Sequence, residues 1–243
     1  MKKYLYRDLY ELEDVHWWHI AKRKTCDELI RKYTKGENLR ILDIGCGTGK
    51  NLEEFSEFGK TFGIDTSVHA IKFCKEKRGL KNLTFGSAEK TGFEKEQFDL
   101  VSMLDVLEHT DDARALKETF RILKKSGYFL ITVPAYKWMW SQWDVVLHHK
   151  RRYTKGQIES LLKSAGFEIL KSTYLYSFLL LPVYVVRKIK KMFFKNIYPS
   201  DFKVGLPFVD KLLSFISDFE RRIGLSFGIP FGLSIILIAK KVE

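Results

Sequence analysis

Ile41-Leu42-Asp43-Ile44-Gly45-Cys46-Gly47-Thr48-Gly49 decides the fold of this chain. A short apolar run, residues 40–44, stops at three glycines in alternate positions, and a helical pattern follows. That reads as a buried strand entering a tight turn and then a helix. Glycine lets a backbone turn sharply and approach a ligand closely. The helix N-terminus behind the turn offers unpaired N–H groups and the positive end of a dipole. Two other glycine loops fail here. A dinucleotide loop needs glycine where Lys50 stands, and a phosphate loop needs glycine at Ile44 and Ser or Thr at Asn51. The loop therefore suits a nucleoside ligand without a pyrophosphate. Asp65 closes the next apolar run, where an acidic residue can take both ribose hydroxyls.

Outward from this turn the chain alternates. Strands are predicted at 40–44, 60–64, Leu83–Phe85, Phe98–Leu104, 128–133, Phe167–Leu175 and 233–240. Helices are predicted at 51–58, 68–77, 111–123 and Lys155–Ser164, the third capped by Asp111 or Asp112 and the fourth by Thr154. Such alternation means a parallel sheet with helices on both faces and right-handed crossovers. Residues 1–35 read as aromatic-rich helices ended by Gly36 as a C-cap. Lys125-Ser126-Gly127 reads as a turn, and residues 135–153 as irregular. The predicted division is a helical cap at 1–36, a body at 37–175 and 229–243, and an apolar and basic helical insert at 176–228.

The chain has 243 residues, 45% hydrophobic, 30% charged and 14% aromatic, with net charge +12. This is globular composition; disorder, collagen-like repeats and disulfide scaffolds are excluded. Three cysteines (Cys26, Cys46 and Cys74) without a C-x-x-C pair argue against a disulfide framework and a zinc ribbon, and no metal-binding set is expected. With no leader peptide in view, a cytoplasmic location is expected. Charge is uneven. Residues 1–120 carry 21 Lys/Arg against 22 Asp/Glu, whereas residues 121–243 carry 21 against 8. A basic half of this kind faces something anionic. The longest uncharged stretches, 172–186 and 223–239, have 15 and 17 residues, and glycines and Pro230 break the second. Neither reads as a membrane span.

At these residues the chain resembles the class I S-adenosylmethionine-dependent methyltransferases. The resemblance rests on 43–49, then Gly63-Ile64-Asp65, Ala88-Glu89, Phe98-Asp99-Leu100-Val101, Val106-Leu107-Glu108-His109, the turn at 123–127 and Ser164-Ala165-Gly166-Phe167. It covers about residues 38–175. It implies a doubly wound α/β, Rossmann-like sheet of seven strands with the last antiparallel. It also implies S-adenosylmethionine as cofactor and S-adenosylhomocysteine as product. Gly45, Cys46, Gly47 and Gly49 would lie against the methionine part, with Asp43 beneath. Asp65 and Thr66 would serve the ribose, and Ser87, Ala88 and Glu89 the adenine. Leu104, Asp105 and Leu107 would face the sulfonium. The family often has Asp where Ser87 stands, so adenine recognition would lean on backbone groups.

After the fifth strand come Trp138-Met139-Trp140-Ser141-Gln142-Trp143-Asp144 and His148-His149-Lys150-Arg151-Arg152-Tyr153. Ligands of open α/β sheets bind beyond the carboxyl ends of strands, so this segment is placed over the methyl group. It is similar to a methyltransferase subgroup with a Trp-Ser…Asp…His-x-Arg-Arg-Tyr segment, which also tends to carry Trp-Trp…Arg ahead of the glycine loop, as Trp17, Trp18 and Arg23 do here. His149 or His148, with His109 as a second candidate, can act as a general base. Arg152 and Tyr153 complete the candidate catalytic set. Trp138, Trp140, Ser141, Asp144 and Arg151 form the candidate acceptor set. Arg151 and Arg152 either grip a carboxylate or phosphate or pair with Asp144 and helix ends. Arg23 either binds the cofactor carboxylate or packs on Trp17.

Tyr174 begins an apolar stretch that runs into Arg187, Lys188, Lys190, Lys191 and Lys195, interleaved with Met192, Phe193 and Phe194. Residues 207–223 place Phe208, Leu212, Phe215, Ile216 and Phe219 on one helix face. Residues 174–196 thus read either as an element lying on an anionic membrane surface or as a cap or dimer contact. Nucleic acid is disfavoured, because the cations sit among bulky aliphatics. The expected activity is methyl transfer to a small or lipid-linked anionic acceptor, oxygen first, by a monomer or homodimer. The rivals are an RNA or protein methyltransferase, a non-catalytic membrane adaptor and a nicotinamide oxidoreductase. Asp105-Val106-Leu107-Glu108 stands where a base-amine methyltransferase carries Pro-Pro-aromatic, and Lys50 disfavours the oxidoreductase.

Overall fold

All seven predicted strands are present in the computed structural model, which describes residues 3–193 and 207–242. They are β1 (Leu39–Ile44), β2 (Gly59–Asp65), β3 (Leu83–Phe85), β4 (Phe98–Leu104), β5 (Leu123–Pro134), β6 (Phe167–Leu175) and β7 (Ser234–Lys241). Their order is β3-β2-β1-β4-β5-β7-β6. The first five run parallel, and β7 lies antiparallel between β5 and β6. Neighbouring residues face opposite sides: Leu42, Val101 and Phe129 pack under one helical layer, Ile41, Leu100 and Leu130 under the other. Burial on both faces explains why these strands read as apolar runs rather than as alternation. The chain reverses direction across the sheet at β1, with β2 on one side and β4 on the other. A crevice opens at such a switch point.

The helices are α1 (Lys3–Glu13), α2 (Trp17–Tyr33), α3 (Lys50–Phe55), α4 (Val68–Arg78), α5 (Asp112–Ile122), α6 (Gln142–Val146), α7 (Lys155–Ser164), α8 (Leu180–Phe193) and α9 (Pro207–Ser226). Caps set several of their starts. Asp111 accepts from the Arg114 amide, and Thr154 and Gln157 form a reciprocal capping box on α7.

Four expectations need correction. The third helix begins at Lys50 and ends at Phe55, short of the predicted residue 58. Gly36 does not cap α2, which stops at Tyr33, where Thr34 turns extended and its hydroxyl donates to the Ile30 carbonyl at 2.7 Å. The turn at 125–127 is an irregularity inside a longer β5. Ser126 has φ 58°, and pairing jumps from Phe98–Leu123 to Leu100–Tyr128. The segment after β5 is not wholly irregular, because Ser141 and Asp144 cap each other's backbone and start α6.

The insert between β6 and β7 supplies α8 and α9. Phe194 and Lys195 of its basic cluster lie outside the described residues. No described helix is long and apolar enough to cross a membrane. The orientation of α9 is unusual. Phe208, Phe215 and Phe219 are 78%, 72% and 62% exposed, whereas Ser217 and Glu220 are buried. The Glu220 carboxylate accepts from the Tyr176 and Ser177 amides at 2.5 and 2.7 Å. These bonds hold the second half of the helix with its polar edge inward and leave Phe208, Phe215 and Phe219 largely in water.

Candidate active site

A cavity of about 1560 Å³ opens at the carboxyl ends of β1, β2 and β4. One drug-sized ligand fills roughly 300–1,000 Å³, so there is room for a cofactor and a second substrate.

One end is built from backbone. Gly45 has φ 75°, and a Cβ there would stand 2.4 Å from the Val106 side chain. A Cβ on Gly47 would meet nothing nearer than the Gly45 carbonyl, so that position faces open cavity. Asp65 accepts from the Gly47 amide at 3.0 Å and the Ser67 amide at 2.8 Å. An ionised carboxylate has about four acceptor positions, so two remain for a diol. Burial raises the Asp65 pKa, and the two amides oppose that rise. Asp43 lies under the loop and accepts from the Ser102 hydroxyl at 2.6 Å. Burial pushes its carboxyl up to about 7.

The N-terminal helices close over this end. Glu13, at the end of α1, accepts from the Thr48 hydroxyl at 2.6 Å and from Arg78 at 2.6 Å. Arg78 also donates to the Thr48 carbonyl at 3.0 Å. From α2, Lys22 reaches across to Asp105 at 2.6 Å, and the Thr132 hydroxyl donates to the same carboxylate at 2.9 Å. Burial works to raise the Asp105 pKa, but Lys22 and Thr132 outweigh it and hold the carboxyl below its usual range. Burial, then neighbouring Lys22, lowers His19 to about 3 and keeps it neutral.

The far end is built from side chains. Asp144 is fully buried and accepts from His149 Nδ1 at 2.9 Å. It also takes two bonds from Arg152, at 2.7 and 3.1 Å. A carboxylate can only accept, so Nδ1 of His149 carries a hydrogen, and in the neutral ring the lone pair is on Nε2. Burial works against ionised Asp144, yet His149 and Arg152 hold its pKa well below the usual range. His149 Nε2 lies 3.9 Å from Glu108 Oε1, and the His109 and His149 rings meet edge to face at 4.7 Å. Burial, then His149, lowers His109 to about 4. Glu108 is fully buried, and neither of its oxygens has a hydrogen-bond partner among the described residues. Burial and the Asp105 charge push its pKa well up. Pro182, Val183 and Val186 of α8, with Val209 and Leu213 of α9, give this end an apolar wall.

Most of the predicted residues come together here. Arg23, Gly45, Cys46, Gly47, Asp65, Thr66, Ala88, Glu89, Leu104, Asp105, His109, His149 and Arg152 line the cavity, as do His148 and Trp143. Arg23 meanwhile holds Glu54 at 2.7 Å. Asp43, Gly49, Ser87, Leu107 and Tyr153 are not in the lining; Asp43, Leu107 and Tyr153 are buried behind it. Trp138 and Trp140 stay outside, 55% and 40% exposed. Arg151 does not line the cavity either; it pairs with Asp112 at the start of α5 at 2.5 Å. Both arginines thus follow the pairing alternative, with Asp144 and with a helix end. Ser141 and Asp144 serve as cap and clamp rather than as a surface.

Sequence reasoning missed Lys22, Glu13, Thr48 and Arg78, whose partners come from distant segments. It also gave no role to Glu108, although that residue stood in a quoted motif.

The methyltransferase domain family matches residues 17–172. An uncharacterized protein of Methanocaldococcus jannaschii is 30% identical over 81% of this chain and 78% of its own length. A ubiquinone biosynthesis O-methyltransferase of Bartonella tribocorum is 30% identical over 58% of this chain, which spans only 60% of that relative. Among solved structures, a chain of the Haloferax volcanii complex between the Trm112 methyltransferase activator and a methyltransferase superposes with TM-score 0.63. That match has 18% identity and covers 98% of this chain and 95% of the other.

Proposed function

The chain belongs to the methyltransferase domain family and is an S-adenosylmethionine-dependent methyltransferase, and from that premise we propose that it methylates a hydroxyl of an amphiphilic, anionic acceptor at an anionic membrane surface. One observation carries the reading. A single cavity joins the Asp65 end to the His149 end, and its far wall is the apolar inner side of α8 and α9. When bound, S-adenosylmethionine supplies an electrophilic methyl group on a sulfonium.

The chain's own residues do the rest. Asp65 takes the ribose hydroxyls, and the glycine turn leaves room for the methionine part. His149 Nε2 accepts the proton of the acceptor hydroxyl, and Asp144 steadies the imidazolium from the other nitrogen. Lys150 and Arg187, both in the lining, face an anionic group. The apolar wall takes a hydrocarbon tail and excludes water. Holding both reactants in one geometry provides much of the acceleration of such a transfer. The outward aromatics of α9 and the exposed Lys188 form an interfacial element. The ubiquinone biosynthesis O-methyltransferase among the relatives agrees with oxygen as acceptor. The enzyme would then work in the cytoplasm, peripheral to the membrane.

The test combines flotation with label transfer. Tag-free protein is floated with neutral or anionic vesicles at low and high salt, with methyl-labelled S-adenosylmethionine and a cellular lipid extract. Co-flotation with anionic vesicles only, weakened by salt and by Phe215→Ser with Phe219→Ser, is expected. Label should enter an organic-soluble product. Label confined to water-soluble product, with no flotation, would overturn the lipid reading and leave α8 and α9 as a cap over a soluble-substrate site.

A further inference from the structure

We propose that Glu108, His109 and His149 form a binding site for a divalent transition-metal ion of the zinc class, at the acceptor end of the cavity. Their donor atoms all lie within 4.8 Å of one another, counting one from each side chain. Ligands about 2.1 Å from one ion stand about 3.4 Å apart at tetrahedral angles, so the set needs to close by roughly 1 Å. No spacing in the chain announces the site. Glu108 and His109 follow β4, whereas His149 follows α6.

Three features point to a cation rather than to a chance cluster. First, Glu108 is fully buried with neither oxygen partnered, and it lines the cavity. A buried carboxylate in that state is costly unless something neutralises it. A proton would do so, but it would leave one oxygen still unsatisfied. Second, His149 is already oriented as a ligand. Its Nδ1 donates to Asp144, which leaves the Nε2 lone pair on the Glu108 side at 3.9 Å. A carboxylate behind a ligating imidazole is the usual second support of such sites. Third, His109 Nδ1 faces the His148 carbonyl at 3.4 Å, which leaves Nε2 as its ligand atom.

Two imidazoles and one carboxylate suit zinc, cobalt or nickel rather than magnesium or calcium. Three protein ligands leave a coordination position for water or a substrate oxygen. Binding itself does not depend on the acceptor, but its consequence rests on the reading above. A hydroxyl bound to the ion becomes more acidic and gives its proton to a solvent water. With the ion present, His149 Nε2 is a ligand and no longer the base.

The experiment is a metal titration. Tag-free protein freed of metal by a chelator is titrated with Co²⁺, read by its visible absorption, and then with Zn²⁺ by calorimetry. One ion per chain is expected, with zinc displacing cobalt. Glu108→Gln and His149→Ala should each weaken binding by about 100-fold or more, and Asp144→Asn by about 10–100-fold. Exposed His69→Ala should change nothing. Circular dichroism and S-adenosylhomocysteine affinity within about 3-fold of the unmodified protein show that each variant is folded. Should Glu108→Gln fail that check, His109→Ala takes its place. An absent cobalt band, or zinc affinity indifferent to the ligand variants, would overturn the site. Label transfer to lipid without any metal binding would sink this inference and leave the proposed function standing; metal binding without such transfer would do the reverse.

Discussion

The two ends of the cavity are made differently. The Asp65 end is a backbone construction: glycines with positive φ, amides held by Asp65, and a helix start. The His149 end is a side-chain construction, in which Glu108 and His109, after β4, meet Asp144, His149 and Arg152, after β5, beside an apolar wall. A backbone site depends on the absence of side chains and is damaged by adding atoms. A side-chain site depends on mutual pairing and is damaged by removing a partner.

The largest expected effect tests that independence. Asp144→Ala leaves Arg152 buried without its partner, which costs about 3–5 kcal/mol in folding stability by urea denaturation. S-adenosylhomocysteine affinity, measured under folding conditions, should stay within about 3-fold. Parallel loss of both would mean that the two ends form one unit. Gly45→Ala probes the opposite case. A Cβ 2.4 Å from Val106, on a residue at positive φ, costs about 2–4 kcal/mol. The expected result is loss of S-adenosylhomocysteine binding by calorimetry, with Co²⁺ binding at the far end retained. The smallest effect is a pH slope. Burial raises Asp43 from 3.8 to about 7. Below the unfolded value the group is neutral in both states and costs nothing. Between about pH 4 and 7 the unfolded chain ionises first, so stability falls as pH rises, by up to about 1.4 kcal/mol per pH unit. Asp43→Asn keeps an acceptor for Ser102 and should flatten that slope in urea midpoints read from pH 4.5 to 8.

The same contrast explains what could be read in advance. The strand, the turn with its three glycines and the acid at the next strand end are local, so the spacing of residues 41–49 and Asp65 sufficed to place the glycine turn and its neighbouring carboxylate. The antiparallel β7 came from resemblance and the strand order from the structure, since pairing between distant segments leaves no mark in local pattern. At the acceptor end the histidines and arginines were visible as residue types, but not their pairings. Arg151 and Arg152 looked equivalent, yet one clamps Asp144 at the cavity and the other secures α5. Trp138 and Trp140 stand in the candidate acceptor set, but the cavity's apolar wall is α8 and α9, whose apolar residues gave no sign of which side they would face. Glu108 escaped notice because burial without a partner is a property of three dimensions.

Glu13 has one more implication, for dissecting the chain. A cut near residue 36, where composition changes, looks like a harmless place to trim. It would remove the carboxylate that holds Thr48 inside the glycine turn, and leave Arg78, only 5% exposed at its side chain, with Glu53 alone of its three acids, Glu13 and Asp14 being lost. The first helix is therefore not a detachable module but a keystone of the glycine turn, and shortened versions of the protein should be judged by whether they retain it.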